Sequence, residues 1–256
     1  LFGPGRQRTI SPKTVSQGVV LFGSNPPCTS NELQKFLVAS YEEPAALNIL
    51  SYVLDEELSK LSKLVNQTTA RVYVDEANKK VIVSHRGTGG EMAGTDWLNN
   101  VVYAGSSSAY KMTPRYKRAK AVQDAVHKKY KDYIINVLGH SQGGLIAHLV
   151  GISSNNIITL NPAYKYENIG TNEYIVRSSN DVVSAASVPK KMLNEVMYPG
   201  WTKKHMITIP AETNDPIIEH SPNILERIDS NTKIGSGLPK KKKKRELKGY
   251  TINIKI

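Results

Sequence analysis

The sequence predicts an α/β protein: a mostly parallel central sheet flanked by helices. Three observations predict it. First, the stretch Tyr133–His148 passes from a β-branched apolar run (Ile134, Ile135, Val137, Leu138) into helical spacing (Leu145, Ile146, Leu149, Val150) across one sharp Gly-Ser turn. Second, strand and helix patterns alternate from residue 80 to residue 229, as crossover connections between parallel strands require. Third, the run Ile134–Leu138 is apolar with only Asn136 interrupting, as strands covered on both faces are.

The elements follow in order. Residues 1–28 carry Gly, Pro, Ser and Arg without periodicity and read as an extended or mobile arm. A domain is expected over 29–232, and a basic tail over 233–256. Thr29 or Ser30 caps a first helix, with Glu32 in its first turn and Leu33, Phe36, Leu37 and Tyr41 at helical spacing. Pro44 starts a second helical segment, Ala45 to Leu64, whose leucines 47, 50, 54, 58 and 61 recur every three or four residues and read as core. Ala70–Asp75 and Lys80–Ser84 form a hairpin around Glu76–Lys79. The second run leads into the Gly-rich turn His85-Arg-Gly-Thr-Gly-Gly90. Pro114 to Tyr130 is a helix with Ala119, Val122, Val126 and Tyr130 on one face. Its basic residues read as a solvated face. Further strands are Asn156–Leu160, Glu173–Arg177 and His205–Ile209, and Asn223–Asp229 is helical.

Length and composition narrow the function. The chain of 256 residues is ample for a real core. No apolar run approaches a membrane span. The start, Leu1-Phe-Gly-Pro-Gly-Arg6, has no Met and no signal-peptide core, which suggests a fragment or processed product. A single cysteine, Cys28, excludes an internal disulfide framework and a cysteine-based zinc site. Neither a metal nor a cofactor is expected. The net charge is +12, and the run Lys240–Arg245 supplies a large part of it. No phosphate-binding glycine motif opens a helix, so a nucleotide site is disfavoured.

Chemistry concentrates at Gly139-His-Ser-Gln-Gly143, a G-x-S-x-G between strand and helix. That context is the one a nucleophile elbow demands. Ser141 sits on the turn, and Gly139 and Gly143 stand where a side chain would collide with a neighbour. A serine hydroxyl near neutral pH needs a base, and the base needs a group to orient it. Where the chain order is Ser, acid, His, only His205 and His220 follow a plausible acid. His220 is preferred, because it lies in a loop able to reach the sheet's edge; His205 opens a strand. Asp181, just past a strand, is the preferred acid. The turn at Arg86-Gly-Thr88 is a candidate oxyanion loop.

Val81-Ile-Val-Ser-His-Arg-Gly-Thr88, Asp96-Trp-Leu98, Val137-Leu-Gly-His-Ser-Gln-Gly-Gly144, Ser179-Asn-Asp-Val-Val183 and His220-Ser-Pro-Asn-Ile224 together resemble the class 3 (fungal-type) lipases, over about residues 30 to 229. The resemblance implies an α/β-hydrolase fold and a serine esterase acting on lipid or other carboxylic esters. It implies Ser141 as nucleophile, Asp181 as acid and His220 as base, with main-chain N–H groups of Thr88 and Gln142 in the oxyanion hole. Three departures stand out. Gln142 replaces the usual Leu, and His85 replaces the usual aromatic. The segment Gly89–Thr95, where the family carries its lid, is short and mostly polar, which points to an unlidded or lightly covered site. A patatin-like phospholipase also uses G-x-S-x-G, but its acid sits in an Asp-Gly dipeptide, and this sequence has none. The remaining alternative is a catalytically inactive binding or virion-associated module.

Lys240–Arg245 resembles a nuclear import signal and also suits an anionic membrane surface; no specific nucleic acid is expected. Without a signal peptide or transmembrane segment, cytoplasm, nucleus and virus particle all remain open as locations, the last for an enzyme that breaches host membrane.

Overall fold

A computed structural model describes residues 28–64, 66–88, 110–163, 172–185, 205–230 and 233–234. The Gly89–Thr95 segment, the Asp96-Trp-Leu98 motif and the Lys240–Arg245 cluster lie outside them.

The strands are β1 (Cys28–Thr29), β2 (Asn48–Ile49), β3 (Tyr52–Leu54), β4 (Lys63–Leu64), β5 (Gln67–Thr68), β6 (Ala70–Asp75), β7 (Lys80–His85), β8 (Ile134–His140), β9 (Asn156–Leu160), β10 (Glu173–Ser178), β11 (Met206–Ile209) and β12 (Lys233–Ile234). The α-helices are α1 (Ser30–Ala39), α2 (Glu56–Lys60), α3 (Pro114–Lys129), α4 (Gln142–Val150), α5 (Val182–Ala185) and α6 (Pro216–His220), followed by a 3-10 turn at Pro222–Arg227. The main sheet has eight strands in the order β11-β10-β9-β8-β7-β6-β3-β2. From β7 to β11 every pairing is parallel. β6 joins β7 antiparallel through the expected hairpin, and β3 and β2 extend that antiparallel edge. The fold is thus a mixed, mostly parallel α/β sheet with flanking helices.

Alternation along each strand sends residues to two buried faces. Tyr73, Ile82, Leu138 and Ile158 meet Leu33, Phe36 and Leu37 of α1 on one side. Val72, Val83, Val137 and Ile157 meet Val122 and Val126 of α3 on the other. A sheet covered on both faces needs apolar residues at both parities, and the near-continuous apolar runs supply them. Thr29 caps α1 in a capping box with Glu32, and Thr113 caps α3, with Pro114 in its first turn.

Cys28–Thr29 pairs antiparallel with Lys233–Ile234. Cys28 and Ile234 are both buried in the core. Among the described residues no helix is long and apolar enough to cross a membrane.

One expectation fails. Ala45–Leu64 is not a helix but β2, a tight turn, β3, the short α2 and β4. Leu47, Leu50 and Leu61 are exposed, while Ile49, Tyr52 and Leu58 are buried. Leu50 sits at φ 56°, left-handed backbone that closes the two-residue turn between β2 and β3. Asp55 then caps α2 through the Leu58 amide. The leucine spacing imitated a helix, but burying Ile49 and Tyr52 beside α1 outweighed it, because tertiary packing routinely overrides weak local propensity. Two smaller differences concern the far end. His205 precedes β11 rather than opening it, and His220 closes the short α6 rather than lying in a loop.

Candidate active site

The carboxyl ends of four parallel strands meet at one edge. β7 runs into Arg86–Thr88, β8 into Ser141, and β10 into the turn before Asp181; β11 is followed by α6, which ends on His220. Open α/β sheets place their sites at this edge because successive loops converge there.

Ser141 stands at φ 56°, ψ −124°, a conformation a non-glycine residue holds only when its surroundings impose it. Its amide donates to the Leu160 carbonyl (3.1 Å), and its own carbonyl accepts from Ala163 (3.0 Å). A Cβ on Gly139 would stand 2.2 Å from the Gly143 carbonyl oxygen, and one on Gly143 would stand 2.2 Å from that of His85. Both positions therefore exclude a side chain. The Ser141 hydroxyl does not cap α4.

Asp181 Oδ1 lies 2.7 Å from His220 Nδ1, and both residues are buried. With Nδ1 engaged by the carboxylate, Nε2 is the ring nitrogen left to exchange a proton. The other candidate base, His205, lies at the opposite end of the strands: its Nδ1 bonds the Glu173 carbonyl (2.8 Å), and its ring stacks on Tyr174. Of the two histidines, the structure brings His220 to Asp181.

His140 ties the serine turn to the histidine. Its Nε2 lies 2.6 Å from the His220 carbonyl oxygen. A carbonyl only accepts, so Nε2 carries the proton and Nδ1 is the acceptor. Tyr41 then donates its O–H to Nδ1 (2.7 Å), and the Gly87 amide donates to the Tyr41 oxygen (2.7 Å). Burial, with the neighbouring His220, pushes His140 down to about 3, which keeps this neutral tautomer. Burial likewise raises Tyr41 to about 12, keeping it a donor.

The Arg86–Thr88 turn packs directly on the serine. A Cβ on Gly87 would come within 2.9 Å of Ser141 Cβ. Thr88 Oγ1 donates to Gln142 Oε1 (3.2 Å), so the two oxyanion candidates from the sequence are brought together. Arg115 Nη1 donates to the same Gln142 oxygen (2.5 Å). The Gln142 side chain is therefore held by partners and does not sit bare in an apolar acyl site. His85 is wholly buried, and neither ring nitrogen has a hydrogen-bond partner.

A second layer of hydrogen bonds holds the histidine in place. Glu219 is buried and binds Arg227 (3.0 and 2.8 Å), the Ser178 hydroxyl and the amides of Glu212 and Thr213. Asn161, at the end of β9 with φ 44°, accepts from the Ser178 amide (2.9 Å) and donates to the Glu219 carbonyl (2.9 Å). It thus joins the strand before Asp181 to the helix that carries His220. The Asn-Pro pair at a strand end was the one trace of this in the sequence; Arg227 and Arg115 left none. Among the described residues no cluster of His, Cys, Asp and Glu could hold a metal ion.

Sheet order, the parallel pairings from β7 to β11 and the serine turn between β8 and α4 together define a mostly parallel α/β fold with its candidate site at the carboxyl ends of the strands. Solved structures of fungal lipases are similar to this chain. The Rhizomucor miehei lipase propeptide complex matches at 16% identity over 91% of this chain and 92% of that one, with a TM-score of 0.43. The Lip2 lipase of Yarrowia lipolytica matches at 14% over 60% of this chain and 73% of its own, with a TM-score of 0.36. A triacylglycerol lipase from Penicillium expansum matches at 16% over 60% and 69%, with a TM-score of 0.39. No protein-family model matches the sequence, and no curated protein matches it.

Proposed function

We propose that this chain is a serine hydrolase that cleaves carboxylic esters of lipids through an acyl-enzyme. The observation that carries the reading is the 2.7 Å Asp181–His220 pair at the same sheet edge as Ser141 in its left-handed turn. His220 Nε2 takes the Ser141 proton as the hydroxyl attacks the ester carbonyl. Asp181 holds the ring and stabilises the imidazolium. The oxyanion forms between the main-chain N–H groups of Thr88 and Gln142. His220 returns the proton to the departing alcohol, and water then cleaves the acyl-enzyme by the same steps.

An apolar substrate is supported by Val182, Ile217 and Ile218, which are large, exposed and next to Asp181 and His220 in the chain. The Lys240–Arg245 cluster would favour an anionic membrane surface, at about 1 kcal/mol per nearby basic residue.

The test is labelling with a fluorophosphonate probe beside a panel of p-nitrophenyl esters and a phospholipid assay. The wild type labels at Ser141 and turns esters over, and Ser141→Ala does neither while keeping its fold. A folded wild type that neither labels nor hydrolyses would leave the inactive binding module as the reading.

A further inference from the structure

Arg115 lies on the first turn of α3, far from the serine in sequence, yet its guanidinium reaches the turn beside Ser141. Nη1 donates to Gln142 Oε1 (2.5 Å) and Nη2 to the Gly87 carbonyl (3.0 Å) and to the Arg86 carbonyl. Nε is buried without a hydrogen-bond partner, and among the described residues no carboxylate pairs with this charge. Burying a cation in this way is unfavourable unless its contacts compensate, and all its contacts converge on the turn.

The peptide geometry gives those contacts a meaning. In a trans peptide the C=O and the following N–H point to opposite edges of one plane. Across Arg86–Gly87, Arg115 takes the carbonyl on one edge and Tyr41 takes the Gly87 N–H on the other. Across Gly87–Thr88, Arg115 takes the carbonyl (3.0 Å), so the Thr88 N–H must face away from the guanidinium. The same guanidinium holds the side chain of Gln142, the first residue of α4.

We infer that Arg115 is a positioning residue for the oxyanion hole: its forked guanidinium fixes the Gly87–Thr88 peptide plane and Gln142, and so aims the Thr88 and Gln142 N–H groups. This rests on the serine-hydrolase reading above. Preorganised donors matter because they need no rearrangement as charge develops. A turn without Arg115 can rotate its peptide, and its donors then act only part of the time. An ammonium in place of the fork reaches fewer acceptors at once.

The test compares wild type with Arg115→Met, Arg115→Lys and Lys117→Met, the last an exposed cation two residues on. Arg115→Met is expected to lower kcat by about 10²-fold with KM within about threefold. The affinity of an alkylboronic acid, which imitates the tetrahedral intermediate, should fall in the same proportion. Arg115→Lys should lie between, and Lys117→Met should match wild type. The inference is overturned if kcat of Arg115→Met stays within about threefold, if the loss appears in KM alone, or if boronic acid affinity is unchanged. Failure of both Arg115 variants to fold would make the residue structural and overturn it too. A wild type that neither labels with fluorophosphonate nor hydrolyses esters removes the catalytic reading and this inference together; an active wild type with an equally active Arg115→Met removes this inference alone.

Discussion

His140 Nε2 lies 2.6 Å from the main-chain carbonyl of His220, on α6 eighty residues later. The bond joins the residue before the candidate nucleophile to the candidate base. Through Tyr41 the same imidazole reaches the Gly87 amide. One neutral ring thus couples the serine turn, the oxyanion turn and the histidine helix. Tyr41→Phe leaves the Gly87 N–H and His140 Nδ1 without that hydroxyl. It is expected to lower stability by about 1–3 kcal/mol and to lower kcat by up to about 10²-fold through misplacement of the turn. Urea unfolding and steady-state kinetics on a soluble ester check the two effects separately.

Asp181→Asn keeps the shape of the acid but not its charge. Its amide can present N–H to Nδ1 and favour the wrong tautomer of His220. Ester turnover should fall by about 10⁴-fold with an unchanged circular dichroism spectrum. A variant that retains wild-type kcat/KM would remove Asp181 from the mechanism.

Glu219 makes the stability of the histidine helix depend on pH. Burial by itself would raise its carboxyl, but Arg227, the Ser178 hydroxyl and the amides of Thr213 and Glu212 outweigh that and hold it down at about 2. In the unfolded chain a glutamate titrates near about 4.3. The folded value is the lower one, so this stabilisation is complete above the unfolded value and is lost as pH falls through about 2. Glu219→Gln should flatten that part of the stability profile. At neutral pH it should lower stability by about 1–3 kcal/mol, because Arg227 loses its charged partner on α6 and keeps Glu212, 3.3 Å from its Nε. Denaturant titrations at a series of pH values read both.

His85 works in a higher window. Burial, then the Arg115 charge, push it down to about 3, whereas the unfolded ring titrates near about 6.5. Its share of stability is complete above the unfolded value and declines as pH falls towards the folded one. Neither ring nitrogen is satisfied. His85→Phe keeps a ring and removes both orphaned polar atoms, so stability should rise by about 1–3 kcal/mol. Its dependence on pH between about 6.5 and 4 should weaken but persist, because His140 titrates in the same window. A thermal scan showing His85→Phe less stable at every pH would contradict this.

By itself the sequence determined what depends on local pattern. Apolar runs and their change of period marked β8, the turn and α4, because a buried parallel strand and an amphipathic helix leave distinct spacings. The hairpin of β6 and β7 and a cap for α1 at Thr29 or Ser30 were legible for the same reason. Ser141 and Asp181 were legible as candidates because each follows a strand, and His220 because it follows the acid in the chain order that the elbow pattern requires. The leucines of 45–64 misled, because their spacing carried no information on which of them the core would bury. Only the tertiary structure decided the partners. It set His220 rather than His205 against Asp181, turned Glu219 into the anchor of α6 with Arg227, and brought Arg115 to the turn beside Ser141. The first and last of these contacts join residues 39 and 28 positions apart, and the Glu219–Arg227 pair bridges two separate short elements. They arise from the order in which strands lie in the sheet, which no local spacing encodes. The elbow serine was thus readable in the sequence, but the network that aims the groups around it belongs to the fold.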